Sequence, residues 1–295
     1  MRVTNQMLVD TVLRGLNLGT ENMKVLEERL ATGKRLLRLS DDPVALSSAL
    51  SLRARLDEDD QHLRNIDSAK AWLEATDQGL EGLNNVLERA RTLALSGASQ
   101  TMGPSELKAM ATEVDQLLQE ALQLANSKHD NQYIFAGLKT TTTPFTLNEG
   151  SPDTVTYNGD SGQILRQTGQ DISVAVNITG EGPLLDLFAT LIGLRDDLEA
   201  GNSSQIGSVR LQSLDDVLES ISSLRGRVGA KISGLEMTAQ RINDFKITLQ
   251  GLLSKAEDVD MAEAMMELVT AQNAYQAALA VGSQAIQPGL VAFLK

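Results

Sequence analysis

Apolar residues recur at alternating three- and four-residue steps over most of this chain, the rhythm of helices that pack along a seam. Near the start, Val9, Val12, Leu16, Gly19, Met23, Leu26 and Leu30 keep that rhythm and predict a helix over residues 5–30. Gly15 and Gly19 weaken it by about 1 kcal/mol each relative to alanine, so it needs a partner. After the break Thr32-Gly33-Lys34-Arg35, Asp42 and Pro43 make an N-cap and first-turn pair. They open a helix predicted to reach about residue 95, with Leu46, Leu56, Ile66, Leu73, Leu80 and Leu87 among its apolar positions. At 1.5 Å per residue it is roughly 80 Å long. Residues 97–103 read as a turn. Pro104 then opens a helix to about residue 128, striped by Leu107, Met110, Val114, Leu117, Ala121 and Leu124. The two helices should form an antiparallel hairpin.

Near Thr140 the pattern changes. Turn chemistry at residues 140–144, 148–153 and 157–162 brackets short strand candidates at 154–157, 163–168 and 172–178. A unit of about forty residues rarely stands alone, so it should pack on the helices. Beyond Gly180-Glu181-Gly182-Pro183 the helical rhythm returns at 184–200 and again from about 204 to 253. Arg225 and Lys246 fall in the second seam, where they must pair or snorkel. The last stripe is Met261, Met265, Leu268, Gln272, Tyr275, Leu279, Gly282 and Ile286. From residue 268 to 294 there is no charged side chain. A terminal helix with no charge-rich face should be hidden in something larger than its own monomer.

The pattern predicts a mainly α fold with a small β insert. Its body is an elongated rod of long antiparallel, coiled-coil-like helices built from both halves of the chain. The expected division is 1–40 with 258–295 as paired terminal helices, 41–140 with 183–257 as the helical rod, and 141–182 as the β insert. The seams of the terminal pair are the candidate assembly residues: Val9, Val12, Leu16, Met23, Leu26 and Leu30 against Met261, Met265, Leu268, Tyr275, Leu279 and Ile286.

Composition sharpens this picture. Aromatic residues are only 3% of the 295, so Leu, Ala, Val and Ile must do the packing, which favours helix-on-helix seams. A net charge of −13 argues against nucleic acid and anionic membrane surfaces as partners. Residues 1–39 hold seven Lys/Arg against four Asp/Glu and residues 260–295 one against three, so the two ends are weakly complementary. Absence of cysteine excludes disulfides and thiol nucleophiles. The first residues never build the apolar core of a signal peptide. The uncharged tail is long enough to span a bilayer, but Gln272, Asn273, Gln276, Gln284 and Pro288 make it a poor membrane helix.

Candidate chemistry is sparse. Glu58 and His62 lie one helical turn apart, but Asp57-Glu58-Asp59-Asp60 reads better as a solvated helix face than as metal ligands. His129 has no evident catalytic partner. No phosphate-cradling or nucleophile-elbow string occurs. Asn177-Ile178-Thr179 and Asn202-Ser203-Ser204 match the glycosylation triplet, a pattern common by chance. Met261, Met265 and Met266 could line a promiscuous groove, although ordinary seam packing accounts for Met261 and Met265. Trp72 and Leu73 read as core of the helical hairpin. No enzyme, cofactor, metal or small-molecule substrate is expected.

Three separated motifs carry a resemblance. Ala31-Thr32-Gly33-Lys34-Arg35 with Ser40-Asp41-Asp42-Pro43 resembles the segment joining the first two helices in the flagellin superfamily. Asn131-Gln132-Tyr133-Ile134-Phe135-Ala136-Gly137, with Thr143-Pro144-Phe145, is similar to the start of the β domain in that superfamily's hook–filament junction subunits. Asp258-Val259-Asp260-Met261-Ala262-Glu263 and the amide-rich tail resemble the shared C-terminal segment. The resemblance implies a structural subunit of the bacterial flagellum, exported unfolded without a cleaved leader and assembled outside the cell at the hook–filament junction. Implied partners are other copies of itself in a ring, the neighbouring hook-associated junction protein, flagellin and a flagellar export chaperone. Pro43 and residues 133–137 speak against a short flagellin, the nearest alternative. A secreted coiled-coil effector whose tail enters lipid is the alternative from another class.

Overall fold

The computed structural model describes residues 5–286 except 37, 39–41, 100–101 and 151–152. Ser40 and Asp41 of the predicted break, part of the 97–103 turn, Ser151-Pro152, and the tail from 287 onward lie outside the described residues. The element order is α1 (Asn5–Thr32), α2 (Pro43–Gly97), α3 (Pro104–Ala125), β1 (Lys128–His129), β2 (Gln132–Tyr133), β3 (Phe145–Asn148), β4 (Thr154–Tyr157), β5 (Leu165–Gly169) and β6 (Ile172–Ala175). Helix then returns as α4 (Pro183–Glu199), the single turn α5 (Ser203–Gln205), a π-helical turn (Ile206–Arg210), α6 (Leu211–Glu257) and α7 (Met261–Ile286).

Local chemistry places the helix ends. The Asp42 carboxylate accepts from the backbone N–H of Val44 (3.1 Å) and Ala45 (3.0 Å), with Pro43 as first helical residue. Asp260 caps α7 in the same way, through Ala262 (2.9 Å) and Glu263 (3.2 Å). These caps satisfy N–H groups that the first turn of a helix leaves free. Gly33 ends α1 at φ 69°, a left-handed conformation that glycine adopts without strain.

The chain divides into two compact units, residues 1–58 with 245–295, and residues 59–244. In the first, α1 packs along α7. Gly282 lies against Val12 and Gly19 against Tyr275, so the two helices run antiparallel. In the second unit, Leu73, Leu80, Leu83 and Leu87 of α2 share one core with Val114 and Leu118 of α3, Leu187, Phe188 and Leu191 of α4, and Leu214, Ile221 and Val228 of α6. Trp72 and Leu73 are core, as the pattern predicts. Arg225, read as a charge in a seam, pairs with Asp77 at 3.0 Å. Lys70–Glu236 and Arg91–Asp215 link the same two helices.

The β segments make three separate two-stranded sheets, β1–β2, β3–β4 and β5–β6, all antiparallel. Strand 154–157 appears as predicted; the 163–168 candidate shifts to 165–169, and the 172–178 candidate shortens to 172–175. The β1–β2 pair and β3 carry too few alternating residues to be read from pattern alone. The first is fixed by a two-residue turn, Asp130 and Asn131, both at positive φ. Phe145 starts β3, with its N–H and C=O both held by the Asn126 side chain at 3.0 and 2.9 Å.

Candidate assembly surface

The terminal pair is built from a weak helix and one that carries no charge past Glu267. On α1, Val9, Val12, Leu16, Met23, Leu26 and Leu30 are all half-buried, on one helical face. On α7 the covered line is Ala264, Leu268, Ala271, Tyr275, Ala278 and Gly282. Leu268 and Tyr275 therefore lie where the spacing put them. Met261, Met265 and Leu279 do not: they are 47%, 59% and 44% exposed. The α7 register is rotated from the predicted seam by about half a residue step of 100°. Ile286 is the last helical residue, and its side chain lies outside those described.

Size explains the rotation. Both registers satisfy the four–three spacing, but one is lined mainly by small residues and the other by large ones. A Cβ on Gly282 would sit 2.8 Å from Val12 Cγ1, and one on Gly19 would sit 3.3 Å from Tyr275. The backbones approach so closely that only small side chains fit between them at these points. The long apolar residues are displaced to the flank, leaving Met261, Met265, Val269 and Leu279 exposed along one side of α7, with Met266 and Val281 exposed on its other faces. On α1, Met7, Leu13 and Leu18 are exposed as well. Lone exposed apolar residues are ordinary, but this many along one helix with charge only in its first two turns mark an interaction surface.

At the root of the pair the two breaks in the helices are tied together. Lys34 and Asp258 form an antiparallel bridge, with Arg35 N–H donating to Glu257 O (2.6 Å) and Val259 N–H to Gly33 O (3.0 Å). Glu257 is buried and accepts from Lys34 Nζ (2.7 Å) and Arg53 Nη2 (2.5 Å), while Lys34 also reaches Asp258 at 2.6 Å. Hydrogen bonds to Asp258 and Glu257 raise the Lys34 pKa above its ordinary value, and the bond to Lys34 holds the Asp258 carboxyl below its own. Two of the three resemblance motifs meet here. Sequence reading singled out both stretches but not the carboxylate that joins them.

The third motif is a support for the insert. Phe135 is fully buried, and its carbonyl accepts from Tyr157 Oη (3.0 Å) and Gly180 N–H (3.2 Å). Gly137 sits at φ 69° where a Cβ would fall 2.2 Å from Asp160 O, so no other residue fits without movement. The Asp160 carboxylate accepts from Leu138 N–H (2.7 Å) and Gly162 N–H (3.0 Å), which depress its pKa.

The remaining candidates have structural roles. Asn177 is buried with both amide atoms bonded, to Gly162 O and Ile164 N–H at 2.8 Å each, and cannot present itself to a glycosyl donor. His129 lies edge-on to Trp72, with ring centroids 5.9 Å apart. No cluster of metal-ligating side chains occurs among the described residues, Glu58 and His62 included. Among the described residues no helix is long and apolar enough to cross a membrane.

Comparison with known proteins matches both ends of the chain to one family. The bacterial flagellin N-terminal helical region matches residues 3–140, and the bacterial flagellin C-terminal helical region matches residues 211–294. Flagellar hook-associated protein 3 of Escherichia coli is 24% identical over 94% of each chain. A flagellin of Halalkalibacterium halodurans is 26% identical over 92% of this chain and 90% of its own. Among solved structures, the flagellar junction protein FlgL of Legionella pneumophila superposes with a TM-score of 0.61 at 18% identity, covering 71% of this chain and 99% of that one. With both terminal regions matched over well over half of its length, the chain belongs to the bacterial flagellin superfamily.

Proposed function

We infer that this chain is a structural subunit of the bacterial flagellum that forms the junction between hook and filament. The observation that carries the reading is the match to hook-associated protein 3 across 94% of both chains, with the two flagellin helical regions in place at either end. The geometry of the terminal pair supports assembly as the activity. Its inner face holds α1 and α7 together, and its flank carries apolar residues that a single chain leaves in water. Residues 1–40 and 258–295 then serve as the assembling segment, 41–140 and 183–257 as its helical support, and 141–182 as an insert.

In this reading the partners are copies of the chain in a ring, the adjoining hook-associated protein and flagellin. The place of action is outside the cell, reached by flagellar export with a chaperone covering the exposed α7 stripe beforehand. The role is mechanical, and no catalytic step is assigned. Deleting the gene in the native bacterium tests it. Hooks should remain while flagellin is shed into the medium, and a plasmid copy should restore attached filaments. Normal filaments in the deletion strain would overturn the assignment.

A further inference from the structure

Between α6 and the segments flanking the β5–β6 hairpin lies a cavity of about 240 Å³, lined by Ser161, Gln163, Asn177, Thr179, Arg227 and Lys231 among others. Two cations one helical turn apart reach it, and no Asp or Glu is among its lining residues. That is unusual in a chain of net charge −13. Most other helix cations of this unit are matched to carboxylates, among them Lys70 to Glu236, Arg91 to Asp215, Arg195 to Asp153, Arg210 to Asp197 and Arg225 to Asp77. Arg227 has no ion pair among the described residues. Lys231 donates instead to the backbone carbonyl of Ala175 at 2.7 Å. Like charges at this spacing on a helix repel, and burial together with Arg227 lowers the Lys231 pKa from its ordinary value.

We propose that this cavity binds a tetrahedral oxyanion of the phosphate or sulfate class. A guanidinium grips two oxygens of such a group in a planar fork, and an ammonium adds a point charge. The hydroxyls of Ser161 and Thr179 and the Gln163 amide supply neutral donors from the facing wall. Asn177, with both amide atoms engaged by Gly162 and Ile164, fixes that wall. The volume falls below the roughly 300–1,000 Å³ of drug-sized sites. It admits an inorganic anion, or a phosphoryl or sulfuryl group carried on one sugar unit. Bound there, the anion cancels the repulsion between Arg227 and Lys231 and ties residues 161–163 and 177–179 to α6.

Titration of inorganic phosphate into the purified full-length chain at constant ionic strength, followed calorimetrically, tests the proposal. One saturable site is expected, displaced by sulfate and not by chloride. Arg227→Gln, at an exposed position that leaves the fold unaltered by circular dichroism, should weaken binding at least tenfold. Arg64→Gln, elsewhere on the surface, should bind as the unmodified chain does. A parallel titration with glucose 6-phosphate separates the sources: tighter binding than phosphate points to a sugar-borne group, and equal binding to the free anion. Unsaturable uptake, displacement by chloride at matched ionic strength, or unchanged affinity in Arg227→Gln would overturn the site. Glucuronate binding tighter than phosphate would overturn the tetrahedral class.

Discussion

Leu279→Asp separates what α7 does within one chain from what it does between chains. Leu279 is 44% exposed. Full burial of a leucine is worth about 1.5–3 kcal/mol, so covering the exposed part on assembly contributes about 1 kcal/mol. A carboxylate at that contact forfeits this gain and must also shed water or a proton, at a cost of several kcal/mol. The combined loss is about 4 kcal/mol per subunit, on the order of a thousandfold in the incorporation constant at 1.4 kcal/mol per tenfold. Within the isolated chain the same aspartate keeps its solvent, and the expected destabilisation is only about 1 kcal/mol. The thermal melt of the purified variant should therefore stay within a few degrees of the unmodified chain, while quantitative immunoblots of isolated flagella show it absent. Incorporation at the normal level would refute the idea that the exposed stripe is an assembly contact. A collapsed melt would show instead that Leu279 belongs to the monomer's own packing.

Three further outcomes follow from the structure. Gly282→Val places a side chain where Val12 Cγ1 already sits 2.8 Å from the Cβ position; overpacking of this kind costs about 1–3 kcal/mol, and hydrogen exchange should quicken in α1 and α7 but not in residues 59–244. Gly137→Ala forces a side chain into a left-handed conformation and against Asp160 O; the loss should exceed about 2 kcal/mol, read as a fall of several degrees in Tm. The Lys34–Asp258 pair contributes fully between the ordinary pKa values of 3.8 and 10.5, because the first is lowered for Asp258 and the second raised for Lys34 on folding. Its contribution disappears as acid passes the depressed Asp258 value, or as base passes the raised Lys34 value. Both side chains are about two-fifths exposed, so the effect is small. Protection of the Val259 N–H from exchange, corrected for intrinsic rate, should decline at both ends of that window and be flat within it.

Helices were legible in this sequence because the spacing of apolar residues is nearly unbroken. Asp42-Pro43, Pro104 and Pro183 mark starts that the structure places at 43, 104 and 183. Spacing gave the α1 face from Val9 to Leu30 but misplaced that of α7. Two registers there share one rhythm, and the choice between them depends on the small side chains at Ala264, Ala271 and Ala278. A rule that scores apolar against polar does not weigh how closely two backbones can approach. Glu257 was invisible for another reason. Its partners Lys34 and Arg53 lie two hundred residues away in sequence, and nothing local distinguishes it from the solvated acids around it. The oxyanion cavity likewise depends on tertiary proximity, since Ser161, Thr179 and Arg227 share no sequence pattern. Phe135 and Gly137, by contrast, were marked as a motif from the start. The structure supplies the reason: a carbonyl and a left-handed turn that hold the insert against the helical core.

Immunogold labelling of intact flagella with antibody against this chain tests the central claim most directly. The junction reading predicts gold confined to the base of the filament, where it meets the hook. Gold distributed along the whole filament would contradict it and make the chain a flagellin.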